Sequence, residues 1–249
     1  MAGHSQFKNI MHRKSAQDAK RAKLFTKLIR EIIIAVREGQ ADPDFNARLR
    51  SAISTARSLN LPKDKIENAI KKGSTIGEGD NYEDIRYEGY APGGIALIVE
   101  VLSDNRNRAA SEIRSSFTKY GGSLGETGSV SFLFEHIGLI IYPAKVSTAE
   151  EMFETALDVG ANSCESDELV HEICCEPEAF GLVQKELINK YGEPEVCKLA
   201  WKANSLIDVE GEQAEKLLKL VSVLEDNDDV QNVYGNYNIT EEIMKKIGL

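Results

Sequence analysis

Pro92-Gly93-Gly94-Ile95-Ala96-Leu97-Ile98-Val99-Glu100-Val101-Leu102 is the stretch that decides the fold. A Pro-Gly-Gly turn is followed by a near-continuous apolar run of strand length. By length and composition this is a buried strand. Asp104 or Asn105 then caps a helix that runs through Tyr120, with Ala109, Ile113 and Phe117 facing inward. Gly121-Gly122 ends that helix.

Downstream, Val130 to Phe134 reads as a second strand and Leu139 to Tyr142 as another. A helix is expected from Ala149 to Val159, with strand-like pieces near Cys164 and over His171–Cys175. A further helix starts after Pro177 and carries Phe180, Val183, Leu187 and Ile188. Short strand-like runs surround Trp201 and Leu206–Val209. A strongly periodic helix holds Ala214, Leu217, Leu218, Val221 and Leu224, and Asp228–Tyr234 is the last strand. The tail from Thr240 is polar and partly helical. The order is β-α-β, then β-α-β-β-α-β, then α-β. The inner piece is a complete split β-α-β unit, and the outer pieces together make a second one.

Upstream, Phe25, Leu28, Ile29, Ile32, Ile33 and Val36 recur at the spacing of one helix face, with Gly39 as the stop. Asp42-Pro43 reads as cap and first position of a second helix carrying Leu49, Ile53, Ala56 and Leu59. After Asn60-Leu61-Pro62 a short third helix holds Ile66, Ala69 and Ile70 and ends at Lys71-Lys72-Gly73. Ser74 to Asn81 is a Gly-rich polar linker. The expected fold class is therefore α+β: an N-terminal three-helix bundle plus two ferredoxin-like α+β domains, one inserted into the other. The domains are 1–75 (basic arm and helical bundle), 82–135 plus 208–240 (a discontinuous α+β domain) and 136–207 (the inserted α+β domain).

Charge divides along the same lines. The 249-residue chain has a formal net charge of −10, yet residues 1–75 hold 16 Lys and Arg against 7 Asp and Glu. The remaining residues hold 14 against 33. A positive end on an acidic body points to a polyanion partner met in a fixed orientation. The arm has a single aromatic, Phe7, before Phe25, which argues against a base-stacking platform and for phosphate and shape readout. Candidate nucleic-acid-binding residues are His4, Lys8, His12, Arg13, Lys14, Lys20, Arg21, Lys23, Lys27 and Arg30. Arg106 and Arg108 join them at a strand-to-helix junction, where free N–H groups attract anions; simple capping with solvated arginines accounts for the same residues equally well.

Other motifs carry no chemistry. Gly121-Gly122-Ser123-Leu124-Gly125 fits G-x-S-x-G, but the helix precedes the serine, the reverse of a nucleophile elbow. Glu225–Asp229 lacks the Gly and Glu that an EF-hand loop requires and reads as a solvated acidic helix end. Cys164, Cys174, Cys175 and Cys197 form no C-x-x-C pair and read as buried reduced thiols. His136 and His171 are structural. No catalytic constellation, metal site, cofactor or small-molecule substrate is expected. There is no apolar run of membrane-spanning length and no secretory signal, so the expected location is cytoplasmic and the expected state monomeric.

Several longer motifs occur in order. They are Ala2-Gly3-His4-Ser5, His12-Arg13-Lys14, Gln17-Asp18-Ala19-Lys20-Arg21, Phe25–Ile32, Pro62-Lys63-Asp64, Tyr87-Glu88-Gly89-Tyr90, Asp104–Arg108, Leu224-Glu225-Asp226 and Asp228–Tyr234. Over essentially its whole length the chain resembles the YebC family, which includes mitochondrial translational activators of cytochrome oxidase subunit one. Phe7 stands where a tryptophan is usual, and residues 160–205 follow the pattern loosely. The resemblance implies three domains, one inserted in another, and no enzymatic activity. It implies a regulator of gene expression, either a ribosome-directed translation factor contacting rRNA or, under the family's older label, a DNA-binding transcriptional regulator. The RNA-directed reading is favoured because the sequence offers no convincing helix-turn-helix with an adjacent recognition helix.

Overall fold

The computed structural model describes residues 18–75 and 82–240. Contacts divide these into two compact units, one of 18–24, 82–135 and 201–240, the other of 25–75 and 136–200. The expected structure of the tail beyond Thr240 lies outside the described residues.

In the second unit, α1 (Asp18–Glu38), α2 (Ala47–Ser58) and α3 (Lys63–Ser74) form the helical bundle. Leu28, Ile32 and Val36 pack with Leu49, Ile53, Ile66 and Ala69. Gly73 permits the close approach of α3, since a Cβ there would stand 2.8 Å from the Ile33 carbonyl oxygen and from Val36 Cβ. The cap of α2 differs from expectation. Asp42 closes a turn instead, accepting the Asp44 N–H at 2.9 Å, and the helix begins four residues later. Asn46 is the N-cap, its Oδ1 accepting from Leu49 N at 3.0 Å. Its Nδ2 also donates to the carbonyls of Ala35 (2.7 Å) and Gln40 (2.8 Å), so one side chain ties the end of α1 to the start of α2.

The same unit holds β4 (Phe134–Pro143), α5 (Ala149–Asp158), β5 (Ser163–Ser166), β6 (Val170–Cys175), α6 (Phe180–Tyr191) and β7 (Val196–Ala203), apart from the ends of β4 and β7 that count with the first unit. Strand order β5-β6-β4-β7 is that of a ferredoxin-like sandwich. Ile140, Tyr142, Ile173, Met152, Val183 and Leu187 form its core. The bundle is tied to α6 through Arg50, which donates to the Gly181 carbonyl at 2.8 Å, and through the fully buried Gln184, whose Nε2 reaches Ser51 Oγ at 3.4 Å.

The first unit is built on β1 (Glu83–Ala91), β2 (Ile95–Ser103), α4 (Arg106–Lys119), β3 (Ser123–Leu124), α7 (Gly211–Asp226) and β9 (Val230–Gly235). The antiparallel order is β3-β1-β2-β9. The chain order here is β-β-α-β-α-β, with the β1–β2 hairpin as the central pair. The ferredoxin-like order expected from the sequence instead separates its two central strands by a helix and an edge strand, so the unit is an α+β sheet with a different connection order. As the apolar run requires, β2 is central, and Leu97, Val99 and Val101 pack on Ile113, Phe117, Leu217 and Val221. Two short parallel strands, β8 (Ile207–Asp208) and β10 (Tyr237–Asn238), complete the unit.

Strand β1 is absent from the hydropathy reading, and its other face explains why. Glu88 is 1% exposed and Arg86 is its neighbour on that face. Glu88 Oε2 accepts the N–H groups of Val130 and Ser131, each at 2.9 Å. This pulls Ser131–Leu133 into a 3-10 turn where a strand is expected, and the two expected strands become that turn and the single strand β4. Arg86 Nε stands 3.0 Å from Glu88 Oε1, out of line for a hydrogen bond, so the pair is a charge contact. Across the strand, Glu100 accepts from Trp201 Nε1 at 3.0 Å and from Asn232 Nδ2 at 3.0 Å. The Arg86 guanidinium stacks 4.8 Å above the Trp201 ring.

Burial pushes the Glu88 carboxyl up, but the backbone donors of Val130, Gly128 and Ser131, with Arg86, outweigh it and hold it below its ordinary 4.5. A depressed carboxyl contributes its stability above the ordinary range and loses it as pH falls through the folded value. Glu88→Gln should cost about 1–3 kcal/mol at neutral pH, because its amide turns an N–H toward a backbone donor. The gap in melting midpoint from wild type should close in acid below 4.5. A gap that stays constant into that range contradicts the assignment.

Candidate nucleic-acid interface

His4, Lys8, His12, Arg13 and Lys14 lie outside the described residues, and Lys20 is placed only as a position on α1. Arg21 and Lys23 are exposed, Arg30 is half-buried and Lys27 is buried. Burial takes Lys27 out of the set of cations presented to solvent, although its helical spacing from Lys23 and Arg30 places it among them in the sequence.

The junction before α4 resolves into a clamp. Asn105 is the N-cap, its Oδ1 accepting from Arg108 N at 3.0 Å. The Arg108 side chain turns back to Asp104 Oδ1 at 2.7 Å and Asp229 Oδ2 at 2.8 Å. Those carboxylates, Asp229 foremost, raise the guanidinium's affinity for its proton further. Asp229 is buried and also accepts from Ser103 Oγ at 2.7 Å. Arg108 therefore joins the start of α4 to the start of β9 rather than facing an anion. Arg106 is exposed at the first position of α4.

Three arginines of α2 are similarly engaged. Arg48 makes a bidentate contact with Glu31 (2.6 and 3.0 Å) and reaches Glu38 at 2.5 Å. Arg50 donates to the carbonyls of Pro43, Asp44 and Gly181. Arg57 pairs with Glu193 at 2.6 Å. Planar guanidinium groups with several donors suit such multipoint ties.

The lysines of α3 behave differently. Lys63, Lys65, Lys71 and Lys72 are all exposed, on the helix that buries Ile66, Ala69 and Gly73. Lys63 has Glu67 one turn on, at 3.6 Å. Lys65 and Lys72 are seven residues apart and so lie on one flank of the helix. The sequence reading omits these four because it weights the arm, yet their spacing opposite the apolar positions is visible in the sequence itself.

Reactive chemistry is weak elsewhere. Burial pushes the Cys175 thiol up to about 11 and Cys197 up to about 12, and raises Cys164, so these sulfurs stay protonated. His171 is buried, with Nε2 facing the carbonyls of Ala144 (3.2 Å) and Ser147 (3.1 Å) and Nδ1 facing Ser166 Oγ at 2.7 Å. Carbonyls only accept, so Nε2 carries a proton, and Nδ1 shares its hydrogen bond with the Ser166 hydroxyl. Ser123 sits on β3 after α4, the order opposite to a nucleophile elbow. Among the described residues, no three His, Cys, Asp or Glu are placed to hold a metal, and no helix is long and apolar enough to cross a membrane.

A helical N-terminal region and two four-stranded antiparallel sheets, one of them ferredoxin-like, with cations displayed on the third helix, define an α+β protein whose distinctive surface is electrostatic. The comparisons give the particular family. Residues 5–76 match the TACO1/YebC N-terminal domain and residues 82–237 match the TACO1/YebC second and third domain. The chain belongs to the TACO1/YebC family. Proteins from two strains of Rickettsia bellii, each named a probable transcriptional regulatory protein, are 58% and 57% identical over 244 residues, covering 98% of this chain and 95% and 96% of theirs. The crystal structure of a conserved hypothetical protein from Aquifex aeolicus superposes with a TM-score of 0.81 at 48% identity, covering 91% of this chain and 94% of that one.

Arg108→Ala should lower the melting midpoint, because it strips a buried carboxylate of its cation. Arg106→Ala should leave the midpoint unchanged. Equal midpoints for the two variants would contradict the clamp.

Proposed function

We propose that this chain is a non-enzymatic, nucleic-acid-binding regulator of gene expression that acts on RNA at the ribosome and helps elongation through difficult stretches. The observation that carries this reading is the charge division: 16 Lys and Arg against 7 acids in residues 1–75, on an otherwise acidic chain. Its physical sense is sharpened by the split between residue types. Arg48, Arg50 and Arg57 of α2 are spent on internal ties, while lysines of α3 face outward. Lysine is a point charge that meets phosphate without reading a base edge. The acids Asp64 and Glu67 are exposed on the same helix, which disfavours its insertion into a DNA major groove as a recognition helix. Phosphate contact and duplex shape are the expected mode, with rRNA as the surface and the cytoplasm as the location of a monomeric protein.

The second reading is a DNA-binding transcriptional regulator using the same cations, and it is favoured by the name carried by the Rickettsia bellii relatives. Ribosome co-sedimentation across a salt series, beside a duplex-DNA shift assay, separates the two. Co-sedimentation at low salt, with log affinity falling against log salt at a slope of about −4 to −5, is expected for roughly six phosphate contacts. Absence of co-sedimentation together with tight binding to one DNA sequence would overturn the first reading. Replacing Lys63, Lys65, Lys71 and Lys72 by Gln should flatten the slope by about 3, with a similar loss on every sequence tested. An unchanged slope would remove α3 from the interface.

A further inference from the structure

Helix α7 ends at Asp226, where its last carbonyls have no helical amide to accept from. Asn227 leaves the helix in an extended conformation (φ −71°, ψ 134°), and Asp228 and Asp229 follow. Asp229 is engaged by Arg108. The other end of the turn is met by the basic helix: Lys23 Nζ donates to the Asp226 carbonyl at 3.0 Å and stands 3.6 Å from Asp228 Oδ1. A cation is favoured there twice over, by the negative end of the helix dipole and by the Asp228 carboxylate beside it. The side chains remain accessible, Lys23 at 52% and Asp228 at 71% of full exposure. Ion pairs so exposed are weak and exchange readily. A phosphate backbone offers a denser line of negative charge than one helix end.

We propose that the acidic turn Asp226–Asp228 is an intramolecular competitor, which occupies Lys23 until a nucleic-acid backbone displaces it. The contact is an autoinhibitory latch on the start of α1, and it raises the threshold for weak, non-specific polyanions. This inference rests on the proposed nucleic-acid function.

The test compares the full-length wild type, Asp226→Asn/Asp228→Asn and a charge-matched control, Glu150→Gln/Glu154→Gln on α5. Each is titrated with an A-form RNA duplex of about 20 base pairs at low and high salt. Neutralising the turn's carboxylates weakens the competitor while leaving the Asp226 carbonyl in place, and should tighten binding about two- to fivefold at low salt, more than the control, with the gap closing as salt screens the pair. Equal affinities for the two variants would overturn the latch, because net charge alone would then account for the change. Lysine acetylation read by mass spectrometry without RNA follows the contact separately, and Lys23 should label faster in Asp226→Asn/Asp228→Asn than in wild type. Lys23 labelling no faster in Asp226→Asn/Asp228→Asn than in wild type, while the wild type binds RNA, overturns the latch and leaves the nucleic-acid reading intact. Failure of all three proteins to bind RNA overturns both, even if Lys23 labelling responds.

Discussion

The first unit depends on one pairing, that of β9 with β2. Val230–Gly235 must return to a strand laid down more than a hundred residues earlier and pair from Leu97↔Gly235 to Val101↔Val230. The pairing is pinned at both ends. Asn236 Oδ1 accepts from Ala96 N at 2.8 Å, and Leu102 N donates to the Asp229 carbonyl at 2.8 Å. Without β9, one side of an almost wholly buried apolar strand has no hydrogen-bond partners. Loop closure over so long a separation costs only slightly more than over a moderate one, because the entropy grows with the logarithm of length. That slow growth is what makes an insertion between β3 and β9 thermodynamically tolerable.

Much of this architecture is written in hydropathy. β2 is legible because both of its faces are buried, and α7 because Ala214, Leu217, Leu218, Val221 and Leu224 fall on one helical stripe. β1 is not legible, because Glu88 is buried against Val130 and Ser131, donors more than forty residues away. A pattern that counts glutamate as a surface residue cannot anticipate a carboxylate used as an internal acceptor. The cap of α2 fails for a related reason. Asp42 and Asn46 are both good capping types, and the choice falls to Asn46 because its amide also reaches two carbonyls at the end of the preceding helix.

The candidate interface was legible in sign but not in membership. Charge counts locate the positive end of the chain without structural help. They cannot tell an arginine that faces solvent from one that clamps a carbonyl, since the partners of Arg50, Arg57 and Arg108 come from over a hundred residues away. Lys27 illustrates the same limit from the other side, a cation of the right helix withdrawn by burial. Among the described residues, Arg21, Lys23, Arg106 and the four lysines of α3 are exposed cations, and the polyanion reading would rest on these. Their affinity for a polyanion would be governed by screening and counterion release more than by geometry.

Trp201 is the single tryptophan of the chain, and it stands near the end of β7, on the part that counts with the first unit, with its indole on Glu100 and Arg86 above its ring. Intrinsic emission from this protein is therefore a local spectroscopic report. It registers the docking of the returning chain onto β1 and β2, and it is blind to the helices of the bundle. A denaturation curve followed by emission observes one site of the first unit, and one followed by far-ultraviolet dichroism observes the helices of both units. Their coincidence or separation measures directly whether the two compact units melt as one cooperative system.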